Sequence, residues 1–430
     1  MAPPEPPGLD AVLESVLAQA GLAEPEAVGD LLAAASRPMG ISAVRIYLAD
    51  IQQLYLYPLG AVTAPPPGAL AIDSTLAGRA YQTGAVQHAR PGRGPARAAA
   101  GRAGDATGPG RLWVPLVNGA ERLGVVEFIA RDAGPATVSR CQALGSLAGL
   151  IVASKAGGSD TYARIRRSQP VALQAELVHA FMAPSSFATA QVSVSAILEP
   201  AYEVGGDAFD YSLLGDRMQV SVLDAAGHDL TAGLVASLGI AACRSTRRAG
   251  GSLADMVAHA DRVIAGQSED LRFATAQLCD LNTSTGEFTW IPCGHPAPLL
   301  IRDGKVIKEL APEPWLPLGL SRYHSAPPGT GRPGRPPVPY REQLQADDRI
   351  LLYTDGVIEG RGADRSLFGL DRLTDFLTRG TAAGVPAAEA LRRLDRVIVD
   401  FQDGRLSDDA TIVLLHWQPG GRPHARPGIR

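Results

Sequence analysis

The sequence has few cysteines, no long uninterrupted apolar run and no large excess of either charge. Its four cysteines show no Cys-x-x-Cys spacing, which favours buried, reduced thiols. No apolar run approaches the roughly 20 residues that span a bilayer, and the opening MAPPEPPG lacks the basic segment and apolar core of a secretory signal. A net charge of −4 gives no field that attracts nucleic acid or an anionic membrane. We therefore expect a cytoplasmic protein without nucleic-acid or membrane partners.

The composition indicates a globular chain with enough apolar residues for two or three domains. Two helical patterns lie within residues 9–36, and strand-like runs follow at 42–50 and 53–60. A further helix is predicted within 71–87. We expect Asp73 or Ser74 to cap it, and its inner face to hold Leu76, Ala80 and Tyr81.

Residues 111–130 predict a β-hairpin, because two apolar runs flank Asn118-Gly119, a strong turn signal. The preceding segment 88–110 is rich in Gly, Pro, Ala and Arg, and it predicts a loop insertion whose arginines are either solvated or in contact with an acidic partner.

The segments IDSTLAGRAYQTG and WVPLVNGAERLGVVEF resemble those of a GAF domain, a small sensory α/β module. The resemblance covers roughly residues 10–155. It implies a central antiparallel sheet with helices and a pocket for a small ligand. The alternative is a structural or dimerising module that binds no ligand.

Residues 140–182 predict a helical connection. One helical run ends at Gly157-Gly158, and a second extends from Thr161 towards Met182, with Pro170 as its break or start. Within it an apolar stripe recurs every four residues: Leu173, Leu177 and Phe181. The stripe either packs on its own domain or joins two copies of the chain in a homodimer.

From Gln191 onward, strand-like runs and helical runs interleave without strict alternation, which predicts a layered α+β domain. A second Pro/Gly/Arg-rich insertion occupies 325–340, and the tail beyond 418 is predicted to be disordered. We predict domains at 1–155 and 191–418, joined by a helical linker at 156–190 and followed by the tail 419–430.

Four aspartates stand in short motifs of this second domain: Asp207 in VGGDAFD, Asp224 in VLDAAGHD, Asp355 in YTDGVIEG and Asp408 in LSDDATIVLL. Carboxylates at strand ends, flanked by glycine and small residues, suit one acidic pocket. Each would raise the pKa of the others unless a cation is present. Mg²⁺ and Mn²⁺ prefer carboxylate oxygen and water, so the pattern predicts a metal-dependent hydrolase.

These motifs, together with QAELVHAFMAP, PCGHPAPLL and LPLGL, resemble the PPM family of metal-dependent protein serine/threonine phosphatases, in the branch of bacterial sporulation stage II protein E. The resemblance covers about residues 165–417. It implies an αββα sandwich and two Mn²⁺ or Mg²⁺ ions that activate a water to attack a phosphoserine or phosphothreonine. The substrates it implies are phosphorylated regulatory proteins such as anti-sigma-factor antagonists, with the GAF-like domain gating activity.

By this resemblance Asp224 bridges both metals and the carbonyl of Ala225 adds a ligand. The remaining ligands are Asp207, Asp355 and Asp408, some of them through water. Asp409 is the alternative to Asp408. His228 is either a general acid for the leaving oxygen or a hydrogen-bonding support.

Two histidines lie in motifs that the family shares. The family commonly has Gly-His-Gly where this chain has Asp229 after His228, although aspartate is itself a good helix cap. His295 is expected to support its loop.

Two other functional classes compete with an active phosphatase. The first is a non-catalytic scaffold with a decayed phosphatase fold. Decay usually removes metal ligands, and none of the four acidic residues is missing, which argues against a scaffold. A nucleotide cyclase is suggested by Gly-Gly-Asp alone, and it would leave the other three motifs unexplained.

Overall fold

The computed structural model describes residues 8–60, 68–89, 110–267, 272–311, 313, 315–320, 337–382, 385–404 and 406–420. Most of the predicted insertions 88–110 and 325–340 lies outside these residues, as does nearly all of the predicted tail. The chain divides into two compact units, with the division between Pro170 and Val171. The four cysteines are buried and unpaired, as the sequence predicts.

The N-terminal unit contains five helices and six strands among its described residues. They are α1 (Leu9–Ala20), α2 (Val28–Ser36), β1 (Ile41–Ala49), β2 (Tyr55–Pro58), β3 (Leu70–Ala71), α3 (Leu76–Thr83), β4 (Gln87–Ala89), β5 (Gly110–Asn118), β6 (Glu121–Ala130), α4 (Pro135–Ala156) and α5 (Asp160–Ile165). Short 3-10 turns occur at Pro25–Ala27 and Arg37–Met39.

The six strands of this unit form one antiparallel sheet in the order β3-β2-β1-β6-β5-β4. The predicted hairpin is confirmed: β5 pairs with β6, and Asn118 lies opposite Glu121 across a turn in which Gly119 has a φ of +60°. One face of the sheet packs against α1, α2 and α4, while α3 covers part of the other face. The alternation of apolar residues along the strands thus supplies two cores, one on each face.

The predicted cap of α3 is wrong. Thr75 is the N-cap, and its hydroxyl accepts a hydrogen bond from Gly78 N at 3.0 Å. Asp73 instead accepts from the Gln82 side chain. Because the helix starts at Leu76, that side chain is 41% exposed, whereas Ala80 and Tyr81 are buried as predicted.

Helix α4 is long and apolar enough to cross a membrane by length and composition alone. However, a stripe of its residues, Cys141, Leu144 and Ala148, is fully buried in the core of the N-terminal unit. The core helix of a soluble protein has this same pattern, so α4 is weak evidence for a membrane span.

The C-terminal unit begins with a short helix on the predicted connection. Helix α6 (Leu173–Phe181) buries Ala175 and Val178, whereas Leu173 is 67% exposed. The predicted stripe is therefore only partly packed: Phe181 lies partly buried against the core of this unit, whereas Leu173 does not. A homodimer through this segment stays a prediction.

The remaining elements of this unit alternate irregularly between strands and helices. They are β7 (Ser186–Ala188), β8 (Val192–Glu199), β9 (Asp207–Leu214), β10 (Arg217–Ala225), α7 (Leu230–Arg248), α8 (Leu253–Ala265), β11 (Ala274–Asn282), β12 (Glu287–Cys293), β13 (Leu299–Arg302), β14 (Lys305–Glu309), β15 (Tyr340–Gln343), β16 (Arg349–Tyr353), α9 (Asp355–Glu359), α10 (Gly369–Ala382), α11 (Ala387–Phe401) and β17 (Ala410–Trp417).

Two antiparallel sheets form the middle of the unit, in the orders β15-β12-β11-β10-β9 and β14-β13-β16-β17-β8-β7. Their facing sides share one apolar core, which includes Val220, Ile350 and Val413. Helices α7 and α8 pack on the outside of the first sheet, and α10 and α11 on the outside of the second. The predicted αββα sandwich is confirmed.

Candidate functional site

The acidic motifs meet at one end of the two sheets. Asp207 begins β9 and is the direct cross-strand partner of Asp224 near the end of β10. Thr275 on β11 is the partner of Asp224 on its other side. Side chains of directly opposed residues lie on the same face about 5 Å apart at Cβ. Pairing of the strands therefore brings the two carboxylates together.

Glycines allow the loop before β9 to approach the loop after β10. A Cβ at Gly206 would lie 2.4 Å from the carbonyl oxygen of Ala225, and a Cβ at Gly205 would lie 2.5 Å from the carbonyl oxygen of His228. No other residue type fits these positions without a shift of the backbone. The Ala225 carbonyl is thereby held beside the acidic residues of both strands.

Asp207 is almost completely buried and is oriented by two threonines of the opposite sheet. Its Oδ2 accepts hydrogen bonds from Thr354 Oγ1 at 2.8 Å and Thr411 Oγ1 at 2.7 Å. Burial raises the pKa of Asp207 well above its usual value, and the charges of Asp224 and Asp409 add to this effect. The two hydroxyls oppose the rise.

The central carboxylate, Asp224, has a pKa raised to about 7. Burial is the largest cause, followed by the negative charges of Asp355, Asp408 and Asp409. Burial also raises the pKa of Asp355, with a further contribution from Asp408. Asp224 therefore lies within electrostatic reach of the other three predicted carboxylates, Asp207, Asp355 and Asp408.

Asp408 and Asp409 differ in their surroundings. Asp409 is buried, and its Oδ2 accepts hydrogen bonds from the backbone N–H groups of Gly205 (2.9 Å), Gly206 (2.6 Å) and Asp207 (3.2 Å). Asp408 is exposed, and its Oδ1 accepts from Asp409 N. The Asp409 side chain thus fixes the glycine loop, whereas Asp408 keeps an oxygen for another partner.

The loop after Asp224 leads into α7. Asp229 is its N-cap and accepts a hydrogen bond from Ala232 N at 2.9 Å, as its position predicts. His228 is exposed, and no hydrogen bond of its side chain occurs within the described part of the chain. The imidazole therefore lies on the solvent-exposed loop that follows Asp224.

Sequence reasoning missed the threonines that hold the acidic residues. Thr354 directly precedes Asp355, and Thr411 follows Asp409 by two positions, so a hydroxyl beside each acidic motif was an available signal. From the sequence, we expect His295 only to support its loop. In the structure, the Nδ1 atom of His295 lies 2.8 Å from Thr275 Oγ1, and Thr275 is the cross-strand partner of Asp224.

Within the described part of the chain, no ion pair balances the negative charge of the site. Among the ion pairs of the described residues, none joins a lysine or arginine to the four predicted acidic residues. The same part of the chain contains no group of three or more acidic, His or Cys side chains already spaced to hold a metal ion. An all-oxygen donor set with uncompensated charge nevertheless fits a hard divalent cation.

Comparison with known proteins identifies a family for the C-terminal unit. Residues 215–418 match the family model of stage II sporulation protein E. This span lies within the C-terminal unit and includes Asp224, Ala225, Asp355 and Asp408, while Asp207 precedes it.

Three solved structures resemble the same region. The RsbU and RsbW domains of a Mycobacterium tuberculosis protein are 27% identical, with a TM-score of 0.43 over 53% of this chain and 60% of that chain. The SiaA-PP2C domain of Pseudomonas aeruginosa is 20% identical, with a TM-score of 0.44 over 52% of this chain and 86% of that one. The PP2C phosphatase domain of SpoIIE from Bacillus subtilis, with a fragment of its regulatory domain, is 18% identical, with a TM-score of 0.42 over 54% and 65%.

The chain spans only 60% of the length of the first of these structures. Because all three TM-scores are below 0.5, the assignment rests on the family model and not on these likenesses. The region 215–418 belongs to the stage II sporulation protein E family of PP2C-type (PPM) serine/threonine phosphatase domains.

Proposed function

We propose that this protein is a metal-dependent phosphatase that hydrolyses phosphoserine and phosphothreonine on regulatory proteins. The observation that carries the proposal is the convergence of Asp207, Asp224, Asp355 and Asp408 in a family phosphatase domain, where no ion pair among the described residues balances their charge. Two Mn²⁺ or Mg²⁺ ions would supply the missing charge and lower the pKa of a bound water for attack on phosphorus.

The protein's own groups have distinct roles in this proposal. Asp224 lies centrally and would be shared between two ions, and the Ala225 carbonyl stands beside it because glycine at 206 leaves room. Asp207, Asp355 and Asp408 would complete the ligand set. His228, exposed on the loop after Asp224, would give a proton to the leaving alkoxide of the substrate, or would support the site by hydrogen bonding.

The substrate class follows from the family resemblance of the sequence motifs. We propose a phosphorylated regulatory protein, such as an anti-sigma-factor antagonist, in a cytoplasmic signalling pathway that controls a sigma factor. The N-terminal unit, with its antiparallel sheet between helices, suits a GAF-like sensor that gates the phosphatase and binds a small ligand. A homodimer through the linker segment belongs to the same proposal.

The proposed division of the chain follows these roles. Residues 1–155 are the sensor domain, 156–190 the linker, 191–418 the phosphatase domain and 419–430 the tail. A catalytically inactive scaffold is the alternative function. The buried, mutually repelling carboxylates disfavour it, because a scaffold gains nothing from an arrangement that costs stability without a cation.

Phosphate release from phosphorylated regulators of the same organism tests the proposal. We expect release with Mn²⁺ or Mg²⁺, none with excess chelator, and none from an Asp224→Asn variant of the full chain. Equal release in the metal and chelator arms would reject a metal-dependent phosphatase. Folded wild-type protein that releases no phosphate from any phosphoserine or phosphothreonine substrate would favour the scaffold.

A further inference from the structure

We propose that His295 is a positioning residue that orients the central carboxylate of Asp224 through the hydroxyl of Thr275. The inference rests on the proposed function, since it gives Asp224 its role, and it assigns a task to a histidine that does not touch the acidic residues. Three side chains form the proposed path: His295 Nδ1 lies 2.8 Å from Thr275 Oγ1, and Thr275 lies directly opposite Asp224 across the paired strands, where its hydroxyl can donate to the Asp224 carboxylate.

Strand pairing fixes the middle of this path. Thr275 and Asp224 are direct partners in the pairing of β11 with β10, so their side chains share one face of the sheet. A hydroxyl that donates a hydrogen bond to a carboxylate favours the charged form of that carboxylate. In the proposed path, the Thr275 hydroxyl thus stabilises the form of Asp224 that the site requires.

A count of protons sets the direction of the hydrogen bonds. The Thr275 hydroxyl has one proton, and donating it to Asp224 leaves only its lone pairs for His295. Burial lowers the pKa of His295 to about 3, against a smaller opposing effect of the Tyr353 backbone, so the ring is neutral with one N–H. With the Thr275 hydroxyl donating to Asp224, the proposal places that N–H on Nδ1, which makes His295 the donor that fixes the Thr275 rotamer.

Loop support alone does not account for the imidazole. The loop of His295 is already held by backbone bridges, which join Gly294 to Ala276 and Cys293 to Trp315. The ring is 6% exposed, and its Nε2 has no hydrogen-bond partner among the described residues. The ring contacts Thr275 through Nδ1, while the Tyr353 backbone lies near enough to oppose slightly the lowering of the ring pKa. Partners that orient a metal-binding residue in this way affect metal affinity and activity by about 10–100-fold.

The chain contains a matched control pair. Thr246 Oγ1 lies 2.9 Å from His259 Nδ1, between helices α7 and α8. Replacing Thr246 by valine or His259 by leucine removes the same kind of threonine–histidine hydrogen bond. Neither residue is among the groups that shift the pKa of the acidic residues.

Two measurements on the full chain test the inference. The first is ¹⁵N NMR of the imidazoles in the metal-free protein, with His295 assigned by its loss in His295→Asn. We expect the proton on Nδ1. A proton on Nε2, directed at the Tyr353 backbone, would turn the Thr275 hydroxyl from Asp224 to His295 and would overturn the proposal.

The second measurement is Mn²⁺ affinity by calorimetry, together with kcat on p-nitrophenyl phosphate. Thr275→Val and His295→Leu should each weaken Mn²⁺ binding by about 10–100-fold. Thr275→Ser and His295→Asn, which keep the hydroxyl and a donor at the Nδ1 position, should recover most of it. The double variant Thr275→Val with His295→Leu should bind Mn²⁺ no more weakly than the weaker-binding single variant, because both changes interrupt the same path.

Thr246→Val and His259→Leu should leave Mn²⁺ affinity and kcat unchanged. Wild-type Mn²⁺ affinity in folded Thr275→Val would overturn the inference. Because this variant loses only one hydroxyl, it still tests the inference if His295→Leu fails to fold. A wild-type protein without phosphatase activity would reject the proposed function, whereas the tautomer and the Mn²⁺ affinities would still decide the role of His295.

Discussion

Asp207 and Asp224 are directly opposed across β9 and β10, and burial raises the pKa of both. Like charges in this position destabilise a sheet. The pairing of these strands therefore holds two carboxylates together at a cost in stability, which a divalent cation would remove. Residues that would bind such a cation should therefore respond to substitution differently from those that only hold the site in shape.

Replacing the central carboxylate should abolish activity and stabilise the metal-free fold. Asp224→Asn keeps the size of the side chain but removes a charge that repels Asp207 and Asp355. We expect kcat on p-nitrophenyl phosphate to fall by more than about 1,000-fold. The Tm with chelator should be equal to or above that of the wild type. A variant with near-normal kcat would show that Asp224 is not the central ligand.

Metal-free stability should decrease as the pH rises from about 4 to 8 because of Asp224. The pKa of an aspartate is about 3.9 in an unfolded chain, whereas the folded-state pKa of Asp224 is about 7. The folded state binds more protons than the unfolded state in this window. The contribution of Asp224 to the free energy of unfolding is therefore fully present below the unfolded-state pKa, and it is lost as the pH rises through the folded-state pKa.

Thermal unfolding at pH 5 and pH 8 with chelator measures this effect, with Asp224→Asn as the control that removes it. The wild type should lose more stability than the variant between the two pH values. Saturating Mn²⁺ should abolish that difference. An identical pH dependence of the two proteins would contradict the raised pKa of Asp224.

Asp408 and Asp409 should fail in different ways. Removing Asp409 leaves three backbone N–H groups without their acceptor, and we expect Asp409→Ala to lose roughly 3 kcal/mol or more of unfolding free energy. Asp408→Ala should keep its stability, because the side chain is exposed, but lose about 100-fold or more in activity.

Asp409→Asn gives the sharper comparison, since an amide oxygen can still accept from the Gly205–Asp207 loop. Urea unfolding and kcat should be measured for all three variants. If Asp408→Ala kept its activity while folded Asp409→Asn lost it, Asp409 would be the ligand instead.

The threonine hydroxyls on Asp207 should matter for both stability and turnover. Thr411→Val removes the donor at 2.7 Å from Asp207 Oδ2 in a buried setting. We expect a loss of about 1–3 kcal/mol in unfolding free energy and about tenfold in kcat. Thr289→Val is the control, because that hydroxyl bonds a backbone carbonyl, Asp280 O, at 3.3 Å. Equal effects of the two changes on kcat would argue against a role for Thr411 in the site.

Sequence reasoning predicted features that depend on neighbours along the chain. Asn118-Gly119 forms the hairpin turn and Asp229 caps α7, because each acts on residues within a few positions of itself. At α3 three candidate caps stand in a row, and Thr75 caps the helix instead of Asp73 or Ser74. Which of them becomes the cap depends on where tertiary packing starts the helix, not on the local pattern.

Contacts between distant segments escaped sequence reasoning. Thr411 and Asp207 are 204 positions apart, and Thr354 and Asp207 are 147 apart. The hydrogen bond between His295 and Thr275 likewise joins a loop to a strand. No periodicity in one segment reports which side chain of another will face it. The acidic motifs were recognisable from their composition, whereas the groups that orient them required the pairing of strands and sheets.

Calorimetric titration of Mn²⁺ into the metal-free full chain tests most directly whether the four acidic motifs form one metal site. We expect two ions per wild-type chain, and the loss of tight binding in Asp224→Asn with the fold retained. Wild-type protein that binds no Mn²⁺, or an Asp224→Asn variant that binds it with unchanged stoichiometry and affinity, would contradict a metal centre built around Asp224.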